Sequence, residues 1–395
     1  MTTRRDVSPI PRPTSNAQGG AGHAVTRRGV LLGAVAALVA ACGHDDDVPS
    51  MMTPMPVPPA PSATFRLKTV GEWAAVFQQS WDYQWQNSLP MSRSADSWDH
   101  YDLSYSVDSC VAMFRATGEA RYLDRALTFV ENVAASARPS SSLPHSSFHD
   151  RYIGWASSKN GEDGEELPLY ESYFWRYGTA LLVAMRDARA QSDRYRRLLD
   201  FAEVNVFEKW YSRGPDETVY RERTHMSAHW ALIALNLAQV TASSSRRARY
   251  AEVAGAIDKR LRGQLRRNPV EPTAYFWSDT WGSAKRPGQD VSHGNGVMAY
   301  VVEARDRGTA WTSADLAAFC SLLTHVIWPG GTTYRGYVDG SGSDNGWFSD
   351  GFVKLGRFDP ATQARLDTHR VVNDQFAANM ALNARILRGG RKETG

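Results

Sequence analysis

Two kinds of helical segment alternate along most of this 395-residue chain, and the alternation limits the folds open to it more than any other feature. One kind begins with polar and aromatic residues and continues small and apolar, at 101–116, 170–185, 224–240, 289–304 and 372–387. The other kind is charged and amphipathic, at 119–135, 194–210, 246–261 and 312–328, and a further helix is predicted at 69–87. Helices that are apolar all round are buried on both sides, whereas amphipathic helices show one face to water. The alternation therefore predicts two concentric helical layers.

An all-α fold, the (α/α)6–7 toroid, provides two such layers. It is a ring of helical hairpins, and the ring need not be complete. Its hairpins would start about 50 to 80 residues apart, near the lengths of known repeat arrays once loops are added. All inner helices of such a ring run in one direction, so their N-terminal ends meet at one rim. The polar residues that open the inner segments are therefore expected at that rim: Asp102, Tyr105, Glu171, Tyr173, His225, His229, Asp290, His293, Asn295, Asn373 and Asp374.

The first 41 residues have the pattern of a bacterial export signal. A twin arginine (Arg27, Arg28) of the Tat type precedes about a dozen apolar residues, and "LVAAC" then resembles a lipobox ending at Cys42. Residues 42–64 contain six prolines and read as an extended tether. The sequence thus predicts a signal peptide (1–41), a tether (42–64) and one catalytic toroid domain (65–390). The protein would be a lipid-anchored lipoprotein in the periplasm or at the cell surface.

The charge balance of the remaining chain excludes one large class of partner. The formal net charge of +3 depends on the signal segment, which holds five arginines and one aspartate. Without it the chain has 40 basic and 41 acidic residues, so it lacks the basic excess of a nucleic-acid binder. Cys110 and Cys320 fall in apolar helical patterns and have no metal-ligand spacing, so we expect them to be buried packing residues.

The inner segments carry most of the chemically interesting side chains. His225 and His229 share one helical face, but no Glu stands between them as a zincin motif requires. His293 is followed by two glycines that leave room for a ligand, while Asn295 and Asp290 fit helix caps as well as substrate ligands. Glu222 lies two helical turns before His229, so both side chains can reach one cavity.

Two long stretches, 275–290 and 328–352, are rich in Gly, Trp, Tyr, Asp and Arg. A 25-residue loop without a helical pattern is uncommon unless it is functional. Aromatic rings in these loops can stack on sugar rings, and Arg286 and Arg335 can grip a carboxylate. Asp339, Asp344 and Asp350 permit a calcium site, but their spacing is not that of an EF-hand, so no metal or other cofactor is assigned.

Inner helices that open with His, Asn and Tyr, together with the hairpin turn "TGEARYLDRAL", resemble (α/α)-toroid carbohydrate-active enzymes. Within that group the chain looks most like uronan polysaccharide lyases of the alginate or glucuronan type, such as family thirty-eight. The resemblance implies β-elimination on an acidic polysaccharide. Arg286, Asn295 or His293 would neutralise the uronate carboxylate, and His229 and Tyr334 would transfer protons, with Glu222 orienting His229. Substrate binding is assigned to His225, Tyr105, Tyr173, Trp277, Trp281, Asp290, Arg335, Tyr337 and Trp347.

Two other functions fit a saccharide cleft. An inverting glycoside hydrolase needs two carboxyl groups about 6.5 to 9.5 Å apart, for which Glu171, Glu222, Asp290 and Asp350 are available. A non-catalytic glycan-binding lipoprotein would keep the aromatic residues without needing a titratable cluster.

The export prediction can be tested directly. Cys42→Ser removes the thiol that would be acylated, so the protein should be released in soluble form or remain unprocessed. Fractionation of cells into membrane and soluble parts measures this. A variant that is still exported, processed and bound to membranes would contradict the lipoprotein assignment.

Overall fold

The computed structural model describes residues 66–214 and 219–390, which belong to one compact unit. The predicted signal peptide (1–41), Cys42 and the tether (42–64) lie outside the described residues. No helix within the described ranges is both long and apolar enough to cross a membrane.

The described residues form thirteen α-helices and two short hairpin ladders. The helices are α1 (Val70–Gln78), α2 (Trp81–Ser92), α3 (Ser97–Thr117), α4 (Ala120–Ser136), α5 (Pro168–Asp187), α6 (Asp193–Phe201), α7 (Lys209–Ser212), α8 (Thr224–Val240), α9 (Ser244–Gln264), α10 (Val291–Asp306), α11 (Ser313–Ser321), α12 (Pro360–Asp367) and α13 (Asp374–Gly390). The antiparallel strand pairs are β1 (Arg138–Pro139) with β2 (Ile153–Gly154), and β3 (Arg266–Arg267) with β4 (Tyr275–Phe276).

Six elements in these ranges form an inner ring: α3, α5, α8, α10, the 3₁₀ helix Phe352–Arg357 and α13. Each packs against the next, and α13 packs against α3, so the ring closes. The remaining helices form an outer layer, in which α4 packs on α3, α9 on α8, α12 on the 3₁₀ helix and α1 on α13. The predicted all-α toroid is confirmed.

The inner and outer helices differ in burial as their sequences predict. In α8 most residues are buried and the rest are only partly exposed, because neighbours cover the helix on both sides. In α4 only one stripe is buried, running from Tyr122 through Ala126 and Val130 to Val133. The turn between α3 and α4 depends on Gly118, whose φ of 78° is a left-handed conformation that glycine adopts without steric cost.

Three features of the helix pattern differ from the prediction. The helix expected at 69–87 is two helices, because the chain turns at Gln79 and Ser80. The outer segments 194–210 and 312–328 contain π-helical stretches at Ala202–Glu208 and Leu322–Ile327. The fifth inner element and α12 were not predicted, because six and eight residues are too short to show helical periodicity.

Charged side chains, rather than apolar ones alone, fill the centre of the ring. Lys354 of the 3₁₀ helix places its Nζ 2.7 Å and 3.0 Å from the two carboxylate oxygens of Asp108 in α3. Gln375 and Asn379 of α13 donate to the same carboxylate at 2.8 Å and 3.0 Å. Closer to the N-terminal ends of α5 and the 3₁₀ helix, Arg176 donates to Asp350 at 2.8 Å.

The opposite end of the ring has its own ionic cluster. Glu303, in the last turns of α10, accepts hydrogen bonds at 3.1 Å from Arg115 of α3 and from Arg357 of the 3₁₀ helix. Five of the six inner elements, α3, α5, α10, the 3₁₀ helix and α13, therefore contribute a side chain to these ion pairs or to the amide hydrogen bonds around them. We call this set of contacts the axial network.

Breaking one pair of the axial network should be costly. Lys354→Met leaves the Asp108 carboxylate buried without its cation, a change that typically costs about 3 to 5 kcal/mol. Arg196→Met is the matched control, since it breaks an exposed ion pair with Asp193 and should change stability by less than about 0.5 kcal/mol. Urea unfolding followed by circular dichroism measures both. Equal stability of the two variants would show that the axial network does not hold the ring together.

Candidate active site

The N-terminus of α10 presents an aspartate and a histidine as one oriented pair. Asp290 caps the helix, accepting the backbone N–H of His293 at Oδ1 (2.9 Å). The imidazole Nδ1 of His293 lies 2.9 Å from both carboxylate oxygens of Asp290. Because a carboxylate only accepts hydrogen bonds, Nδ1 carries the proton and Nε2 is left for another partner. The side chain of His293 is 51% exposed, so this partner can come from solvent or from a ligand.

The two members of this pair stabilise each other's charged form. Burial opposes the charge on the imidazole, but the hydrogen bond and the negative charge of Asp290 raise the pKa of His293 above its ordinary value. Burial likewise opposes ionisation of Asp290, yet its hydrogen bonds with His293 lower the pKa of Asp290 to about 2. At neutral pH Asp290 is therefore ionised and hydrogen-bonded to His293, whose imidazole takes up a proton more readily than an ordinary histidine.

Two histidines of α8 line the inner side of this pair. The ring of His225 lies 4.4 Å from that of His293, and burial together with the charge of His293 lowers the pKa of His225 to about 3. His229 lies one turn deeper and is buried, with its Nδ1 3.4 Å from the hydroxyl of Ser172. Burial and the nearby charge of Arg176 lower the pKa of His229 well below its ordinary value. Both side chains are neutral imidazoles at physiological pH.

A second titratable carboxyl group reaches the rim from the loop that precedes the 3₁₀ helix. Tyr337 in this loop pairs with Asp290 in a single antiparallel bridge, and the backbone N–H of Asp344 donates to the carbonyl of Tyr334 (3.1 Å). Burial raises the pKa of Asp344, and the negative charge of Asp290 raises it further. A hydrogen bond from the backbone N–H of Asn345 lowers this pKa but does not cancel the rise. Asp344 thus lies within electrostatic reach of Asp290 and holds its proton more tightly than an ordinary aspartate.

The opposite side of the rim is a wall of aromatic rings from α3 and α5. Tyr101 stacks on Tyr173 with ring centroids 3.8 Å apart, and on Trp98 at 5.0 Å. The hydroxyl of Tyr105 forms a hydrogen bond of 2.9 Å with the hydroxyl of Tyr173. The aromatic side chain of Tyr105 also contacts the indole of Trp347, which lies in the loop before the 3₁₀ helix. Tyr173 also lies edge-on to His229 at 5.0 Å, so the aromatic wall adjoins the histidines. Trp98, Tyr101, Tyr105 and Trp347 are partly exposed, which makes this the face open to a ligand.

The structure brings together about half of the predicted site residues. At the rim, or directly beneath it, are Tyr105, Tyr173, His225, His229, Asp290, His293, Tyr337 and Trp347. Asn295 is fully buried, accepting the backbone N–H groups of Gly351 and Phe352 and donating to the carbonyl of Trp347. It clamps the loop before the 3₁₀ helix to α10, a positioning contact rather than an open ligand site.

The other predicted residues have contacts elsewhere. Tyr334 is packed against Trp328 and His369, and Trp277 is fully buried. Arg286 pairs with Asp339 at 2.7 Å, and the indole N–H of Trp281 donates to the carbonyl of Arg221 at 2.8 Å. The side chain of Arg335 is exposed. Glu222 is also exposed whereas His229 is buried, and among the described residues no hydrogen bond joins them, so the expected orienting contact is absent.

Two acids proposed for hydrolysis are internal. Glu171 accepts hydrogen bonds from Lys209 (2.7 Å) and from the indole of Trp210 (2.8 Å). Asp350 pairs with Arg176, and both are buried. In the described ranges no group of three acidic, His or Cys side chains is arranged to hold a metal ion, Asp339, Asp344 and Asp350 included.

Sequence reasoning missed several groups of the rim. Trp98 and Tyr101 could have been found, because with Tyr105 they repeat every three or four residues along one face of α3. Asp344 was considered only as a calcium ligand and not as a residue of the rim, because only the folded loop brings "GSGSDNG" next to the start of α10. The ammonium of Lys159 lies 4.6 Å from the ring of Trp98. This contact could not be predicted either, because it too forms only in the folded loop.

No protein family model and no curated protein matches the chain. Among solved structures it is similar to an inactive variant of the α-1,6-mannanase GH76A of Salegentibacter sp. HEL1_6, in complex with α-1,6-mannotetrose. The sequence identity is 12% and the TM-score is 0.45, over 80% of this chain and 99% of that chain. A likeness at this level concerns the fold alone.

This comparison corrects the predicted family. The solved structure that the chain resembles is named as a mannanase and not as a uronan lyase, so the predicted resemblance to uronan lyases is wrong, and so is the lyase function that rested on it. The prediction that the substrate is alginate, glucuronan or another acidic polysaccharide is wrong for the same reason. Of the three groups expected to neutralise a uronate carboxylate, Asn295 is enclosed and Arg286 pairs with Asp339, while His293 is half exposed.

The Asp290–His293 pair makes a prediction about pH. Asp290→Asn keeps a helix cap but removes the charge that raises the pKa of His293, so that pKa should fall. Because the pKa of His293 is raised in the folded state, the pair contributes stability that is full below 6.5 and is lost as pH rises through the folded value. Unfolding in urea should therefore show a larger loss for the variant at pH 5.5 than at pH 8.5. A loss that is the same at both pH values would mean that the pair does not form.

Proposed function

We propose that the rim is the active site of a glycoside hydrolase that cleaves a neutral glycan with inversion of configuration. The observation that carries the proposal is the half-exposed imidazole of His293, fixed by Asp290, together with the nearby carboxyl of Asp344, whose pKa is raised by burial and by the charge of Asp290. Glycoside hydrolysis needs one group that protonates the leaving oxygen and one that takes a proton from water. His293 and Asp344 supply this combination.

The direction of the two pKa shifts assigns the roles. A raised pKa keeps a larger share of His293 protonated than an ordinary imidazole at the same pH, and in that form its Nε2–H can donate to the glycosidic oxygen while Nδ1–H stays with Asp290. The pKa of Asp344 starts from 3.8 and is raised, which makes its carboxylate a stronger base than an ordinary aspartate once it has ionised. Asp290, whose pKa is about 2, remains negative and stabilises the imidazolium.

The aromatic wall gives the sugar a place to bind. The rings of Trp98, Tyr101, Tyr105 and Trp347 are partly exposed and offer apolar surface to a sugar ring, and the hydroxyl of Tyr105, bonded to that of Tyr173, adds a polar group beside them.

Inversion is favoured because Asp290 is a poor nucleophile. Both of its oxygens accept hydrogen bonds, from the backbone and ring of His293 and from the amide of Gln289 (2.9 Å). A carboxylate held in this way cannot turn to attack the anomeric carbon. Water activated by Asp344 is then the nucleophile, and single displacement by water inverts the anomeric centre. The enzyme would act outside the cytoplasm, tethered at Cys42, as the sequence predicts.

Asp344→Asn tests the proposal. The amide is almost the same size but cannot accept the proton of water, and loss of a proton-transfer group typically lowers the rate about a hundredfold to ten-thousandfold. Hydrolysis of a panel of neutral glycans, with the first product anomer read by NMR, is the measurement. Wild-type activity should follow a bell-shaped pH profile that rises as Asp344 ionises and falls as His293 loses its proton.

The matched control is Asp193→Asn, an exposed aspartate on the outer helix α6, which should keep full activity. If Asp344→Asn binds the glycans but neither it nor the wild-type chain releases product, the rim is a glycan-binding surface without catalysis. Retention of configuration in the first product would exclude the assigned roles.

A further inference from the structure

We infer that Gln289 is a positioning residue, which orients the Asp290 carboxylate and thereby holds His293 in the geometry of a proton donor. This inference rests on the proposed function for its catalytic meaning, although the hydrogen-bond geometry can be tested without any substrate. Gln289 directly precedes the helix cap and is fully buried. Its backbone is fixed on both sides, since its N–H donates to the carbonyl of Trp277 (2.8 Å) and its carbonyl accepts from Val338 (2.9 Å).

The amide of Gln289 has a defined orientation. The Thr224 hydroxyl lies 2.8 Å from Oε1 of Gln289, while Nε2 of Gln289 lies 2.9 Å from Oδ2 of Asp290. A carboxylate cannot donate, so the nitrogen of the amide must face Asp290, and the oxygen is then free to accept from Thr224. Thr224 is also fully buried, which leaves water little chance to replace its contact with the amide.

These contacts form one directed chain from α8 to the exposed imidazole. Thr224 donates to Gln289, Gln289 donates to Asp290, and His293 donates to Asp290 through both its backbone N–H and its Nδ1–H. Without the amide, Oδ2 of Asp290 has one donor fewer, and rotation of the carboxylate would separate it from the imidazole. Displacements of about 1 Å in such groups can lower rates by about a hundredfold.

The groups that face His293 from neighbouring elements allow a clean test. They are His225 on α8, Lys159 in the loop before α5 and Asp279 in the loop before α10, while Asp344 acts on Asp290. Neutral substitutions at Thr224 leave every one of these groups in place, whereas Gln289→Leu also removes a hydrogen bond between Gln289 and His225, so the Thr224 variants are the cleaner comparison. A shift in the titration of His293 would then report the position of Asp290.

The experiment compares Gln289→Leu, Thr224→Val and Thr224→Ser with the wild-type protein. The imidazole of His293 is titrated by NMR after histidine labelling, with its resonance assigned by its loss in His293→Gln. We expect a downward shift of its pKa toward 6.5 in Gln289→Leu, a smaller downward shift in Thr224→Val and the wild-type value in Thr224→Ser, which keeps the donor. If hydrolysis is measurable, kcat should fall about ten- to hundredfold in Gln289→Leu with KM unchanged, and the alkaline limb of the pH profile should move to lower pH.

The outcomes separate this inference from the proposed function. An unchanged titration of His293 in both Gln289→Leu and Thr224→Val would overturn it, whatever the activity. If Gln289→Leu fails to fold, the comparison of Thr224→Val with Thr224→Ser decides alone. If no glycan is hydrolysed but the titration shifts as expected, the positioning role stands and the proposed hydrolase does not.

Discussion

Lys354 and Arg176 are cations inside a ring of helices, and the toroid depends on how the surrounding elements neutralise them. An ion taken out of water costs several kcal/mol unless a close partner and further hydrogen bonds replace the solvent. Asp108 and Asp350 are those partners, and amides from α13 complete their hydrogen bonds. Burial would raise the pKa of Asp350, but Arg176 and Tyr177 lower it, so the carboxylate stays charged. Because the partners come from different helices, the ion pairs are satisfied only when the ring is closed.

The axial network also decides how the rim is built. Asp350 pairs with Arg176 and accepts a hydrogen bond from Tyr173 at 3.3 Å, while Tyr173 supports Tyr105 and stacks on Tyr101. The aromatic wall is thus anchored to a buried carboxylate. On the other side, Asn295 fastens the loop that carries Asp344 and Trp347 to the first turn of α10. Each wall of the rim is therefore held by buried polar contacts, which are strongly directional and leave few alternative arrangements.

The start of α10 combines helix capping with chemistry in the same residues. Asp290 satisfies a free N–H of the first helical turn, as a capping residue does, and its second role is to hold the ring of His293. The two roles are compatible because a carboxylate can accept several hydrogen bonds at once. Capping alone does not account for the burial of Gln289 or for the ring of His225 lying 4.4 Å from that of His293, whereas the proposed role of His293 as an oriented proton donor would use both.

The sequence by itself determined the architecture and most of its helices. A helix buried on all sides and a helix buried on one side have different patterns of apolar residues over ten or more positions. These patterns can be recognised in the sequence without knowing which helices pack together. It also placed Tyr105, Tyr173, His225, Asp290 and His293 at one rim, because these residues open inner helices that run in parallel. It did not find the 3₁₀ helix Phe352–Arg357, whose six residues are too few for a periodic signal.

Only the tertiary structure decided which polar residues are free to act. Glu171, Asp350, Asn295 and Arg286 look as reactive in the sequence as Asp290 does, yet each is occupied by a partner distant in the chain. Asp344 gains its raised pKa from burial in a folded loop and from the charge of Asp290, 54 positions away in the sequence. Availability and pKa depend on which groups surround a side chain in space, and residue type and spacing along the chain do not contain that information.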